Sequence, residues 1–594
     1  MNPLCDLCCQ RGKTEKALPL STTAKPWFIE SSFFVVSSRV ISQMRNFIFC
    51  VVLCLTSATE PPIVSTKLGD IQGFRVPQKG GGQAEVFLAI PYAKPPVGNL
   101  RFEKPEPLEP WNDIYSATTF RNSCTPHMRI VAQFMQPSGE DCLTLNVVRP
   151  QHREELLPVL FWIHGGGYEI GSAAQHGYQV FADNYVGNGV IVVTIQYRLG
   201  FMGFLTDGTK NAPGNMGLFD QAAALKFVQD HIEDFGGDKR KVTVWGYSAG
   251  GASASQLTLS PYSRELFSNA ILMSASSFVS WATGLKVVEN CQLLAKRKTV
   301  DEIFDAVDKI GGTTQTADFL RFAPVIDGDF LPKHPYDLVE DAPIKPTIIG
   351  LSSKESAFFT VMNNGAVLQS FGLSAEEMAK VDKDYVVDVI RKKLLYEKRF
   401  GKNFETVLEE ISNFYLKPNE HPEDGDNAFY VDKYTEMLSD LFFNVASVRE
   451  INRKLEVGTP IWAYKFEHFN DGIFAPHIPD LAKGSPHGNE YQYLFEMQLF
   501  SAINMTIADE NVKKDITEMV ITFAKNRKPK VRDIKWDQVS DPHNIHYLRF
   551  TSDPEVENGF FQEADDFWRD LAKLGFDLID PMSSHSSFLR KEEL

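Results

Sequence analysis

The sequence predicts an α/β fold with a large, mostly parallel central sheet and helices on both faces, and three observations lead there. Five short runs are apolar throughout instead of alternating, as strands covered on both faces are. Stretches of helical periodicity separate them at lengths that suit βαβ units. The composition is that of a folded chain: 43% of the 594 residues are hydrophobic and 23% charged, unlike a disordered sequence. The 40 glycines and 33 prolines are near average, which excludes collagen-like and low-complexity classes. With 60 Lys and Arg against 76 Asp and Glu, the net charge is −16, and a general nucleic-acid binder is excluded for want of a basic face. Length alone suggests about four domains at roughly 150 residues each; the motifs below reduce these to one.

In chain order, the predicted strands are Val159–Ile163, Val190–Gln196, Val242–Trp245, Ala270–Met273 and Thr347–Ile349. Between the second and third, Leu225, Val228, Ile232 and Phe235 recur at helical spacing, so a helix is predicted over Asp220–Phe235, with Gly236-Gly237 as its stop. A second helix is predicted over Glu510–Lys525, where Val512, Ile516, Met519, Val520 and Phe523 share a face. Asn413–Asn427, rich in Pro, Asp and Glu, is expected to be a surface loop.

The strongest apolar run, Phe47–Leu55, has nine residues against the about 20 that a membrane-spanning helix needs. It fits the core of a secretory signal peptide: Arg45 precedes it, and Thr56-Ser57-Ala58 follows with small residues ahead of a cut after Ala58. Translation is expected to begin at Met44, with residues 1–43 an upstream extension, 44–58 the signal peptide, 59–576 the folded domain and 577–594 a tail. Of eight cysteines, removal of that segment leaves Cys124, Cys142 and Cys291. In an oxidising lumen one pair and one free thiol is the simplest solution. A Cys124–Cys142 bridge closes a short loop; Cys291 is then free, buried or bridged to another molecule. The Cys5–Cys8–Cys9 cluster lacks a second Cys/His pair to complete four ligands, so no metal is expected.

Gly246-Tyr247-Ser248-Ala249-Gly250 is a G-x-S-x-G sequence with a predicted strand running in and the small residues Gly251–Ala254 running out. That context is a nucleophile elbow, a strained strand-to-helix turn whose glycines make room for close backbone approach and whose serine stands exposed at the sheet edge. Ser248 is therefore the candidate nucleophile. His164-Gly165-Gly166-Gly167 follows the first predicted strand, the place of a glycine loop whose N–H groups converge on an oxyanion. The expected donors are Gly166, Gly167 and the N–H of Ala249, each worth about 10²–10³ in turnover.

With these motifs in order, the chain resembles the type-B carboxylesterase and cholinesterase family of α/β-hydrolases. Phe235–Gly250 (FGGDKRKVTVWGYSAG) and Glu140–Val147 (EDCLTLNV) match its two signatures, and Ile90–Phe102, Tyr197–Leu205, Pro213–Gln221 and Pro324–Asp327 match further segments; within the family, the look is that of nematode gut esterases. The resemblance implies an α/β-hydrolase fold, hydrolysis of small-molecule carboxylic esters through an acyl-enzyme, and no cofactor. It also implies a Ser–Glu–His triad. His487 in His487-Gly488-Asn489-Glu490 occupies the place of the base, and Glu355 that of the acid, although the residues around Glu355 depart from the usual pattern. Asp327 is the fallback acid. Where cholinesterases have Glu before the nucleophile this chain has Tyr247, and the Thr125–Asp141 loop holds His127 and Phe134 but no tryptophan. Both elements of a quaternary-ammonium site are thus missing, so weak choline-ester hydrolysis is expected. The alternatives are a non-catalytic adhesion ectodomain, which the retained Ser248 and His487 disfavour, and a choline-ester hydrolase.

Lys591-Glu592-Glu593-Leu594 resembles a retention signal of the Lys-Asp-Glu-Leu type. Together with the signal peptide it places the expected address in the endoplasmic-reticulum lumen, with secretion as the alternative and a retention receptor as partner. Asn504-Met505-Thr506 is an N-glycosylation sequon.

Overall fold

The computed structural model describes residues 60–582 except 130–136, 285, 295–298, 312–315, 317–319, 363–370, 396 and 417–426. The signal-peptide segment, Phe134 and the Lys591–Leu594 tail lie outside the described residues. Eleven strands form one sheet: β1 Phe74–Pro77, β2 Gln83–Pro91, β3 Thr144–Pro150, β4 Leu157–Ile163, β5 Ile191–Ile195, β6 Gly237–Tyr247, β7 Asn269–Met273, β8 Thr347–Ser352, β9 Ile461–Phe466, β10 His546–Phe550 and β11 Glu555–Asn558. Their spatial order is β11-β10-β9-β8-β7-β6-β4-β5-β3-β2-β1. The strands from β5 through β10 run parallel, β4 included, while β3, β2 and β1 at one edge and β11 at the other are antiparallel.

The central parallel strands β4, β5 and β7 are buried along nearly their whole length because both faces are covered. In β4, Val159, Phe161 and Ile163 enter one core, while Leu160 and Trp162 enter a second core on the opposite face. There Trp162 packs edge-on against Trp245 of β6, ring centroids 4.6 Å apart. The winding reverses at β4, which has β5 on one side and β6 on the other. In such sheets ligands bind beyond the carboxyl ends of the strands flanking that reversal.

All five predicted strands are present, most of them longer than the apolar run that marks them. The predicted helix over Asp220–Phe235 is shifted: α1 spans Met216–His231. It begins after Gly214 and Asn215, both at positive φ, and ends where Ile232–Phe235 turn into β6, so the last two apolar positions are buried by the turn. The second helix, Ile507–Asn526, is longer than predicted because Thr506 and Asp509 cap it reciprocally. The expected loop at Asn413–Asn427 needs correction. Asn413–Leu416 finish the helix Phe404–Leu416, Asn427 opens the helix Asn427–Ser439, and 417–426 lie outside the described residues. The helix persists because Tyr415 and Leu416 are buried and Phe414 stacks on Phe567 at 4.0 Å. No helix among the described residues is long and apolar enough to cross a membrane.

Candidate active site

Register sets the site. Trp245 pairs with Trp162 and Gly246 with Ile163, so the segments leaving β4 and β6 emerge side by side. Ser248 stands between β6 and the helix α2, Ala249–Leu259, at φ 56° and ψ −127°, a conformation that costs a non-glycine residue about 1–3 kcal/mol. It is held by its own N–H, which donates to Met273 O of β7 at 2.8 Å, and by its carbonyl, which accepts from Ala252 N–H at 2.9 Å. The flanking glycines are required by contact: a Cβ on Gly246 would lie 2.0 Å from Gly250 O, and one on Gly250 would lie 2.2 Å from Ile163 O.

His487 lies in the loop before the helix α3, Glu490–Phe495, and its Nε2 is 2.8 Å from Ser248 Oγ. Its Nδ1–H donates to Glu355 Oε2 at 2.7 Å. Glu355 follows β8 and is fully buried; Ser352 N–H donates to its Oε1 at 2.7 Å, and its backbone carbonyl accepts His487 N–H at 3.1 Å. The carboxylate therefore fixes the tautomer that leaves the Nε2 lone pair facing the serine hydroxyl. Four rings collar the imidazole: Phe443 at 4.8 Å, Tyr247 at 5.0 Å, Phe359 at 5.5 Å and Phe358 at 6.2 Å between centroids. They leave the imidazole 7% exposed in apolar surroundings, where electrostatic interactions are stronger than in water.

Gly166 at φ 115° and Gly167 at φ 62° turn the loop after β4 back on itself, and the N–H groups of Glu169 and Ile170 both donate to Gly166 O at 3.0 Å. Among the described residues, the N–H groups of Gly166 and Gly167 have no protein acceptor. The N–H of Ala249 opens α2, one of the first-turn groups a helix leaves unsatisfied. Gly166, Gly167, Ser248 and His487 border a cavity of about 220 Å³ whose other walls include Phe358 and Leu499.

The structure thus brings Ser248, His487 and Glu355 into one row. Asp327 is elsewhere engaged: its Oδ1 accepts the N–H groups of Asp329 and Leu331 and closes a turn. Cys124 and Cys142 form a disulfide 18 residues apart, and Cys291 is a buried free thiol whose pKa burial pushes up to about 11. His127 is fully buried, and burial lowers its pKa to about 4. Asn504 is exposed, just before the Thr506 cap. No cluster of three or more metal-ligating side chains occurs among the described residues.

Sequence reasoning missed the collar. Phe358-Phe359 lie within four residues of Glu355 and could have been suspected. Phe443 could not: it sits in a π-helical turn, Asp440–Asn444, that breaks the 3.6-residue period by which helix faces are read.

A strained serine on a sheet edge, hydrogen-bonded to an imidazole and beside unsatisfied N–H groups, defines a serine hydrolase of the α/β class. The sequence model of the Carboxylesterase family matches residues 60–568, and the chain belongs to that family. It is 54% identical over 551 residues to Gut esterase 1 of Caenorhabditis briggsae, covering 90% of this chain and 97% of that one. Identity to Gut esterase 1 of Caenorhabditis elegans is 51% over 569 residues, covering 93% of this chain and 100% of the relative. A rabbit (Oryctolagus cuniculus) cocaine esterase is 31% identical over 539 residues, 85% of this chain and 95% of that one. The protein is a carboxylic ester hydrolase acting on small ester substrates.

Proposed function

We propose that Ser248 is the nucleophile, His487 the general base and acid, and Glu355 the carboxylate that orients it, with Gly166, Gly167 and Ala249 as oxyanion donors. Ser248 Oγ attacks the ester carbonyl while His487 Nε2 takes its proton. The carbonyl oxygen becomes an oxyanion between the three N–H groups, and Glu355 stabilises the imidazolium. Collapse breaks the ester C–O bond, His487 returns the proton to the leaving alcohol, and the acyl group stays on Ser248. Water, deprotonated by His487, then attacks the acyl carbon and releases the carboxylate with Ser248 restored. The observation that supports this best is the unbroken row Glu355–His487–Ser248, with 2.7 and 2.8 Å contacts. Neutral esters are the proposed substrates, since the site offers Tyr247 where a cation-binding carboxylate is expected. A fluorophosphonate probe should label the wild-type chain and not Ser248→Ala; labelling that survives the substitution refutes the assignment.

The same proposal extends to the address. Entry into the secretory pathway through the Phe47–Leu55 segment is supported by the Cys124–Cys142 disulfide, a bond kept in oxidising compartments. Exposed Asn504 would then carry a glycan, and Lys591–Leu594 would be read by a retention receptor in the endoplasmic-reticulum lumen. Expression in animal cells tests both: endoglycosidase should shift wild type but not Asn504→Gln, and deletion of residues 591–594 should release the enzyme to the medium. Cytosolic, unglycosylated enzyme refutes them.

A further inference from the structure

Glu490 opens α3 three residues after His487, and no step of the proposed reaction uses it. It is fully buried. Its Oε2 accepts Ser352 Oγ–H at 3.0 Å, and among the described residues nothing lies within hydrogen-bond geometry of its Oε1. The same Ser352 gives its backbone N–H to Glu355 Oε1 at 2.7 Å, so one residue ties both carboxyl groups together. On the opposite side, Tyr247 Oη accepts Gly488 N–H, next to His487. That hydroxyl also interacts with the Glu490 carboxyl and with Ser274. Tyr464 of β9 senses both glutamates, its buried hydroxyl without a hydrogen-bond partner among the described residues. The adjacent Tyr491, also buried, feels the same carboxyl, so the groups around Glu490 are one carboxylate, three phenols and a serine.

A second buried glutamate shows what is missing. Glu450 has Lys454 at 2.6 Å and accepts from Ser255, Ser276 and the Ser277 N–H, and these partners lower its pKa despite complete burial. Glu490 faces Glu355 in place of a cation. We propose, building on the Ser248–His487–Glu355 assignment, that Glu490 is a positioning residue which keeps a proton during turnover. The Glu355–Glu490 pair then bears a single negative charge, and Ser352 and Tyr247 couple that state to His487. Burial and the charge of Glu355 both push the Glu490 carboxyl well up from its usual range. Once ionised, Glu490 repels Glu355 and draws the Ser352 and Tyr247 hydroxyls to itself, loosening the carboxylate from Nδ1 and the His487 loop from β6.

The test is the pH profile of kcat/KM on a neutral p-nitrophenyl ester. Wild type should lose activity on the alkaline side at about tenfold per pH unit. Glu490→Gln, which mimics the protonated acid at every pH, should lack that decline. Ser352→Ala removes a hydroxyl that favours the charged form, so its decline should move to higher pH, and this mild substitution serves if the glutamine variant does not fold. A structural role would lower activity evenly across pH. Alkaline limbs that coincide in wild type and whichever of these variants folds overturn the proposal. Hydrolysis that survives in Ser248→Ala would instead refute the triad and leave these profiles standing.

Discussion

Alanine at Gly165 tests whether the oxyanion loop and the elbow are one packed unit. Gly165 is not at positive φ, so an added methyl brings no backbone strain of its own. It does bring a clash, since its Cβ would lie 2.6 Å from Tyr247 O and 3.0 Å from Ser248 Cβ, against 3.4 Å for ordinary contact. Both neighbours belong to the elbow and neither is the end of a flexible side chain, so the loop and the nucleophile must move apart by several tenths of an ångström. Over-packing of this kind costs about 1–3 kcal/mol of stability. The larger effect is on rate. Ser248 Oγ lies 2.8 Å from His487 Nε2, with little slack before the bond is lost. Misplacement by about 1 Å costs about 10²-fold, or about 2.7 kcal/mol in activation free energy. Turnover of a p-nitrophenyl ester, normalised to the folded fraction from a thermal melt, should therefore fall about 100-fold. Gly80→Ala, with nothing within 4 Å of the new methyl, is the control. Wild-type kcat in folded Gly165→Ala would refute the reasoning.

Two further outcomes concern stability. Replacing Cys124 and Cys142 together by serine opens an 18-residue loop and should cost about 3 kcal/mol, read as a lowered Tm that reducing agent does not lower further; a Tm equal to wild type refutes it. Asp440, buried between Tyr415 and Asn444, has its pKa raised by burial from 3.8 to about 7. The folded state holds this proton after the unfolded chain has released it, so the group destabilises the fold as pH rises from 3.8 to about 7, at about 1.4 kcal/mol per unit. Asp440→Asn removes that loss. The difference in Tm between variant and wild type should move in the variant's favour across that interval and level off above it, and a difference independent of pH refutes the assignment.

What the sequence made legible divides along a physical line. Five of the parallel strands could be read because each carries an apolar run buried on both faces, as in Ile191–Ile195, whereas the parallel strands β9 and β10, interrupted by Lys465 and Arg549, were missed. The elbow could be read because its glycines answer contacts between residues close in sequence, such as Gly246 with Gly250. The outer strands β1 and β11 could not, being four-residue edge strands that include polar or charged residues. The ring over His487 could not either. Phe443 arrives there because the π-helical turn Asp440–Asn444 displaces the helix face, and Trp281 Nε1–H, from another helix, donates to Phe442 O in that turn. Glu490 is visible as a letter in His487-Gly488-Asn489-Glu490, but its neighbours Ser352 and Tyr247 come from two other strands.

The two kinds of information meet at Ser248. Its backbone is in a region that disfavours a side chain, and the local sequence explains only why the residues around it are small. What keeps it there is assembled from elsewhere: Met273 O of β7 holds its N–H, and Ile163 O of β4 presses on Gly250. A strained residue persists only when its surroundings over-determine it. The elbow can therefore be recognised from a few letters yet can form only after β4, β6 and β7 have paired. Substitutions that weaken the β6–β7 pairing should for this reason lose serine reactivity at temperatures below those at which the sheet melts, and a fluorophosphonate labelling rate that follows the melting curve itself would show that local packing suffices.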